Sequence, residues 1–302
     1  MMGRATASVV KPSPPAWGAY LELLKPITWF PPMWAFACGL VASGADLMER
    51  WPLILAGIAL AGPLICGTSQ VVNDWFDRHV DALNEPDRPI PSGRVPGRRA
   101  LWIAFLWTAL SVAVAVALGP WVAAAGILGL AFAWAYSAPP LRFKQNGWIG
   151  NGAVGLCYEG LPWFTAATVA SGGYPGNPIV ALCLLYSLGA HGIMTLNDFK
   201  AIEGDRAMGI RSLPASLGPE RAARLACWVM AVPQLVVIAL LVSWDRTGAA
   251  IAVGAVLLAQ LACMARMLTD PKRFAPWYNA TGVTLYVSGM MISAFAVRGV
   301  AG

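Results

Sequence analysis

Long apolar runs, cut apart by turns and charge, restrict this chain more than any other feature. They fall near residues 27–45, 51–72, 100–118, 121–138, 148–170, 178–196, 222–244, 249–267 and 278–297. Each is close to the roughly 20 residues that an α-helix needs to cross the hydrocarbon of a bilayer. The expected fold class is therefore all-α, a polytopic membrane protein with nine transmembrane helices. Residues 1–26 read as a cytoplasmic N-terminal tail and 27–302 as the membrane domain. Composition agrees, with 58% hydrophobic and 12% charged residues, where a soluble domain usually carries about twice that charge. The 31 Gly and 23 Pro follow no triplet period, which excludes a collagen-like chain. All six cysteines lie in apolar stretches and none forms a CxxC pair, so neither a zinc site nor a disulfide framework is expected.

Basic residues set the orientation. Numbering the connections alternately puts 18 of the 21 Lys and Arg on one side and leaves Arg50, Arg246 and Arg298 on the other. By the positive-inside rule the N-terminus is cytoplasmic and, with nine spans, the C-terminus is outside. A net charge of +6 is thus accounted for by topology, and no nucleic-acid partner is expected. No charged n-region, apolar h-region and cleavage site precede Ile27 in order, so no signal peptide is expected.

The longest connections follow the second and sixth runs, both cytoplasmic by this reading, and each opens on Asn-Asp: Asn73-Asp74 and Asn197-Asp198. Four spans separate them, and an even number preserves orientation. Two parallel four-helix repeats plus a ninth helix are expected. In the first motif, NDWFDRHVD, Asp74, Asp77 and Asp81 stand at i, i+3 and i+7 on one helical face. No Lys or Arg occupies those three positions, and oxygen ligands of this kind suit Mg²⁺ bridging to a phosphate. In the second, NDFKAIEGDR, Asp198 and Asp205 are again i and i+7. One shared site holding one or two Mg²⁺ ions is expected at Asp74, Asp77, Asp81, Asp198 and Asp205. A diphosphate needs further positive charge, for which Arg78, Arg88, Arg94, Lys200, Arg206 and Arg211 are candidates beside Asn73 and Asn197.

These motifs resemble those of the UbiA superfamily of intramembrane prenyltransferases, and the match runs over nearly the whole chain. NDWFDRHVDALNEPDRPIPSGR carries the likeness most specifically. YSAPPLRFKQNGWIGN, YEGLPW and NDFKAIEGDRAMGIRSLP are similar to the chlorophyll and bacteriochlorophyll synthase branch. That resemblance implies esterification of the propionate of a bacteriochlorophyllide or chlorophyllide with geranylgeranyl or phytyl diphosphate. It also implies that the five aspartates bind Mg²⁺ and diphosphate. Many members space the second motif as DxxxD, whereas Ile202 stands fourth after Asp198 here. Arg outnumbers Lys 16 to 5 and the leader is short and proline-rich, which favours a bacterial protein of the inner or photosynthetic intracytoplasmic membrane over a plastid one.

For the acceptor, Arg142 and Lys144 at the cytoplasmic face are expected to steer the propionate, with Lys144 also a candidate for the diphosphate. Glu159 lies inside the fifth run beside Gly160 and Pro162, and an ionisable group there is either functional or a polar contact between helices. His191 is either a ligand for the central magnesium of the pigment or a hydrogen-bonded core histidine. A quinone precursor or haem would be the alternative acceptor. Transport is the alternative activity, because repeats and broken helices also suit alternating access.

Overall fold

The computed structural model describes residues 17–300, and the basic residues Arg4 and Lys11 used in the topology argument lie outside it. The described residues are almost wholly helical, with a single isolated bridge between Asn146 and Arg211. Helical rods fill every apolar run: Phe30–Ser43, Trp51–Asn84, Arg99–Ala117, Pro120–Ser137, 147–171, Asn177–Asn197, Pro219–Ser243, Thr247–Met267 and Pro271–Ala296. Proline at the first or second position opens most of them, where its missing N–H costs nothing. Gly44 and Gly172 close the first and fifth in the left-handed conformation that glycine adopts without strain.

Six stretches are long and apolar enough to cross a membrane: Trp51–Asn84, Arg99–Ala117, Pro120–Ser137, Asn177–Ala207, Pro219–Ser243 and Thr247–Met267. The protein is a multi-pass membrane protein. The other three rods fall short of that measure for local reasons. Phe30–Ser43 has only 14 residues, 147–171 is diluted by several glycines and by Asn151, Tyr158, Glu159 and Pro162, and Pro271–Ala296 carries Lys272, Arg273, Asn279 and Thr281.

Between helices in lipid the hydrophobic effect gives little, and close packing over small residues takes its place. The first and fifth rods pack along their lengths, as do the sixth and seventh and the eighth and ninth. At the fifth–sixth contact a Cβ on Gly155 would overlap the Ser187 backbone carbonyl, so only glycine permits this approach. Residues 17–26, the end of the expected tail, carry the Trp17–Leu24 helix, and a 3-10 turn at Pro26–Trp29 leads from it into the first run. Ala19 and Leu23 of that helix are buried together with Val71, Val72 and Val95. This docking brings Lys25 over the first acidic motif.

Candidate active site

The first motif ends the Trp51–Asn84 rod. Asp74 and Asp81 share one guanidinium, since Arg88 Nη1 donates to Asp81 Oδ2 at 3.0 Å and reaches Asp74 Oδ1 at 3.4 Å. Lys25 Nζ donates to Asp74 Oδ1 at 2.6 Å. Asp77 accepts from Asn73 Nδ2 at 3.0 Å and from Lys144 Nζ, with Arg142 Nη2 at 4.0 Å. The three carboxylates are therefore neutralised by cations from elsewhere in the chain, where the sequence reading saw no basic residue among them. Asp74 is 2% exposed and its Oδ2 has no partner. Burial lowers the Lys144 ammonium from its usual range, against the pull of Asp77.

Not every candidate arginine joins them. Arg78 turns onto its own helix, donating to the Trp75 carbonyl and lying 4.2 Å from the Trp75 ring centre. Arg94 pairs with Glu22, Nη2 to Oε1 at 2.9 Å, and with the Asp87 carbonyl. The Arg94 guanidinium holds the Glu22 carboxyl below its usual range. That pair fastens the loop to the Trp17–Leu24 helix and is half exposed, so it contributes about 0–1 kcal/mol. His79 is exposed.

The second motif follows the sixth rod. Asp198 Oδ2 accepts from Asn151 Nδ2 at 3.2 Å, and Asp205 is buried nearby, within Coulombic reach of Asp198. Among the described residues neither carboxylate forms a salt bridge. Lys200, Arg206 and Arg211 are exposed. Arg206 Nε donates to the Ala215 carbonyl, and the Arg211 backbone pairs with Gln145 and Gly147. Tyr136 lines the same chamber as Asn73 and Asn197. Among the described residues no three Asp, Glu, His or Cys side chains converge tightly enough to form a metal cluster. The donor set still fits Mg²⁺, because Asp74 Oδ2 is an orphaned oxygen and Asp198 and Asp205 lack a cation.

Below the motifs lies a chamber of about 680 Å³, with Asn73 and Asn197 in its lining. Its walls are mainly apolar, from Phe30, Pro31, Trp34, Ile65, Phe132, Ile193, Val283 and Val287. Glu159 also lines it, 6% exposed, with Oε2 unpartnered. His191 is not in that lining; its Nε2 lies 3.2 Å from the Trp148 carbonyl. Arg142 and Lys144 stand beside Asp77 and also lie outside the chamber lining. The four residues assigned to the acceptor by sequence are thus not one group. Geometry keeps Glu159 at the chamber, seats His191 between the fifth and sixth rods, and moves Arg142 and Lys144 to the first acidic motif.

The sequence reading missed Lys25, Asn151 and Asn279. Lys25 had counted only toward topology, and Asn151 only as the end of a family motif. Asn279 donates to Asn197 Oδ1 at 2.8 Å and keeps a buried, unpartnered Oδ1. A polar side chain inside the last apolar run was the available signal for it.

Residues 29–290 match the UbiA prenyltransferase family, and the chain belongs to that family. It is 61% identical over 281 residues to the bacteriochlorophyll synthase 33 kDa chain of Cereibacter sphaeroides, covering 93% of each chain. It is 48% identical to the bacteriochlorophyll synthase 34 kDa chain of Chloroflexus aurantiacus, over 92% of this chain and 89% of that one. Identity to the chloroplastic chlorophyll synthase of Avena sativa is 36%, over 93% and 76%. Among solved structures, a UbiA homolog from Archaeoglobus fulgidus bound to GPP and Mg²⁺ superposes with a TM-score of 0.68 at 20% identity, over 93% of this chain and 99% of that one. A digeranylgeranylglyceryl phosphate synthase gives 0.74 at 20% identity, over 92% and 98%.

Proposed function

We propose that this protein transfers a geranylgeranyl or phytyl group from its diphosphate to the propionate of a bacteriochlorophyllide or chlorophyllide, releasing diphosphate. The observation that carries the reading is the joining of two Asn-Asp motifs over one apolar chamber, with Asn73 and Asn197 both in its lining. The strength of the likeness to bacteriochlorophyll synthases supports the choice of acceptor.

Lys25, Arg88, Lys144 and Arg142 receive the diphosphate, exchanging carboxylate partners for phosphoryl oxygens. Asn73 and Asn197 orient it above the chamber. Asp198 and Asp205, with Asp74, Asp77 and Asp81, are the residues to hold Mg²⁺, which when bound supplies positive charge toward the leaving oxygens. The apolar and aromatic walls keep water from the allylic carbon and stabilise positive charge as its C–O bond lengthens. The pigment carboxylate is already ionised near neutral pH, so its attack on that carbon needs no strong general base. One C–O bond breaks and one forms. The bias of basic residues to one side supports nine spans with a cytoplasmic N-terminus and a diphosphate site at the cytoplasmic face of a bacterial inner or photosynthetic membrane.

The test is to incubate purified protein with labelled geranylgeranyl diphosphate and a panel of bacteriochlorophyllide, chlorophyllide, a quinone precursor and haem, with and without Mg²⁺. A labelled pigment ester formed only with Mg²⁺ is expected. Ester on none of the pigments, or label on a quinone ring, would overturn the acceptor assignment.

A further inference from the structure

The chamber is not uniform. Most of its wall is hydrocarbon, but at the π-helical turn Leu156–Gly160 two adjacent residues, Tyr158 and Glu159, both line it. Such a turn inserts one residue into the helix, and it recurs at functional sites. A second π-helical stretch, Leu60–Cys66, lies opposite on the second rod, and the two meet where Cys66 Sγ is 3.8 Å from Tyr158 Oη. Both contain or adjoin a proline, Pro63 or Pro162, that lacks the N–H an α-helix needs.

Hydrogen-bond accounting gives this corner a direction. Gln70 Nε2 donates to Tyr158 Oη at 3.2 Å, so the phenol is held as an acceptor by the protein and its own hydrogen remains to be donated. Glu159 is more than nine-tenths buried and the protein leaves its Oε2 without a partner. A carboxyl facing only an isoprenoid chain would lose its water with nothing in exchange. This part of the chamber therefore suits a ligand with polar groups, and the prenyl tail belongs along the apolar walls.

Register along the second rod locates the corner relative to the chemistry. Gln70 is three residues and Cys66 seven residues before Asn73, which is roughly 4.5 and 10 Å along a helix axis. A tetrapyrrole with its propionate at the Asn73 end carries its ring keto and methyl ester carbonyls about one ring's width away, on the ring next to the one that bears the propionate. We propose that Tyr158 and Glu159, the latter as a neutral carboxyl, are specificity-determining residues that donate hydrogen bonds to the oxo groups on the rim of the acceptor macrocycle. This rests on the pigment acceptor proposed above and adds the part of the pigment that is read.

The experiment compares purified wild type, Tyr158→Phe, Glu159→Leu and Glu159→Gln on bacteriochlorophyllide and on the same pigment with its ring keto group reduced to a hydroxyl. Loss of one such hydrogen bond corresponds to roughly a tenfold change. Tyr158→Phe and Glu159→Leu should each raise the pigment KM about tenfold while the geranylgeranyl diphosphate KM stays within twofold. Glu159→Gln, which keeps a donor and an acceptor, should recover most of the loss. Wild type should prefer the keto pigment, and Tyr158→Phe should lose part of that preference. Resonance Raman of the bound pigment adds a direct readout: a carbonyl stretch lowered in the wild-type complex and returned toward its free position in Tyr158→Phe. Equal rises in both KM values, or unchanged carbonyl bands with an unchanged keto preference, would overturn the assignment. Failure of wild type to esterify the pigment at all would instead remove the acceptor reading on which it rests.

Discussion

Replacing Lys25 by Met tests the arrangement at a residue that no acidic motif contains. Its ammonium lies 2.6 Å from Asp74 Oδ1, while the next cation, Arg88, is 3.4 Å from the same oxygen. A hydrogen bond to a charged group contributes about 1.5–3 kcal/mol. The Lys25 side chain is 24% exposed and Arg88 remains, so the lower end applies, about 1.5 kcal/mol or roughly tenfold. If Lys25 exchanges Asp74 for a phosphoryl oxygen when substrate binds, that loss falls on the prenyl diphosphate. Its KM should rise about tenfold, with the pigment KM unchanged and Lys25→Arg near wild type. The assay is separate titration of both substrates on detergent-solubilised variants, with thermal unfolding in parallel. A prenyl diphosphate KM within twofold of wild type, or an equal rise in both KM values, would refute the exchange.

Asp74→Asn and Asp77→Asn should each abolish turnover while the far-ultraviolet dichroism stays helical, and Asp198→Asn should match them; near-normal activity in Asp74→Asn and Asp198→Asn together would collapse the diphosphate assignment. Lys144→Ala should raise the KM for prenyl diphosphate more than that for the pigment, because Lys144 sits on Asp77; the reverse ranking would return it to the acceptor. Arg94→Ala should change either KM by less than about threefold, since its partner is Glu22 on a half-exposed surface. Chelation of divalent ions should stop turnover and added Mg²⁺ should restore it, with no change in helix content by circular dichroism.

The rods were legible because apolar length is a strong signal, and each of the nine runs is occupied by helix. What periodicity could not register was the pair of π-helical turns, since one inserted residue leaves a run just as apolar. The site was legible where function and sequence are contiguous, as in Asp74, Asp77 and Asp81 with Arg88 fourteen residues after Asp74. Contacts between segments were not. Lys25 is 49 residues from Asp74 and Lys144 is 67 from Asp77, and spacing within a motif carries no information about either. Arg142 and Lys144 were placed with Glu159 because they are close in sequence, yet folding turns the loop before residue 147 toward the second rod. Arg78, four residues after Asp74 and three before Asp81, shares their side of the helix, yet its guanidinium turns back onto the Trp75 ring and carbonyl, a choice of partner that spacing does not reveal.

The two acidic motifs read alike in sequence but differ in charge once folded. At the first, Lys25, Arg88, Lys144 and Arg142 surround three aspartates. At the second, Asp198 is met by the neutral amide of Asn151, and the basic residues around it are exposed. A prenyl diphosphate held between them, as proposed, would meet ion-pairing cations on one side and carboxylates without a salt bridge on the other. The first side can hold it directly; on the second, like charges repel unless a divalent cation intervenes. This supports the proposed division of labour, in which the side of the first motif supplies most of the basic side chains and the second motif adds carboxylates that would hold metal. It also accounts for a second motif with Ile202 at the fourth position after Asp198. Asp205 is buried within Coulombic reach of Asp198, so the second carboxylate arrives from the turn that follows the rod rather than from the next turn of the same helix.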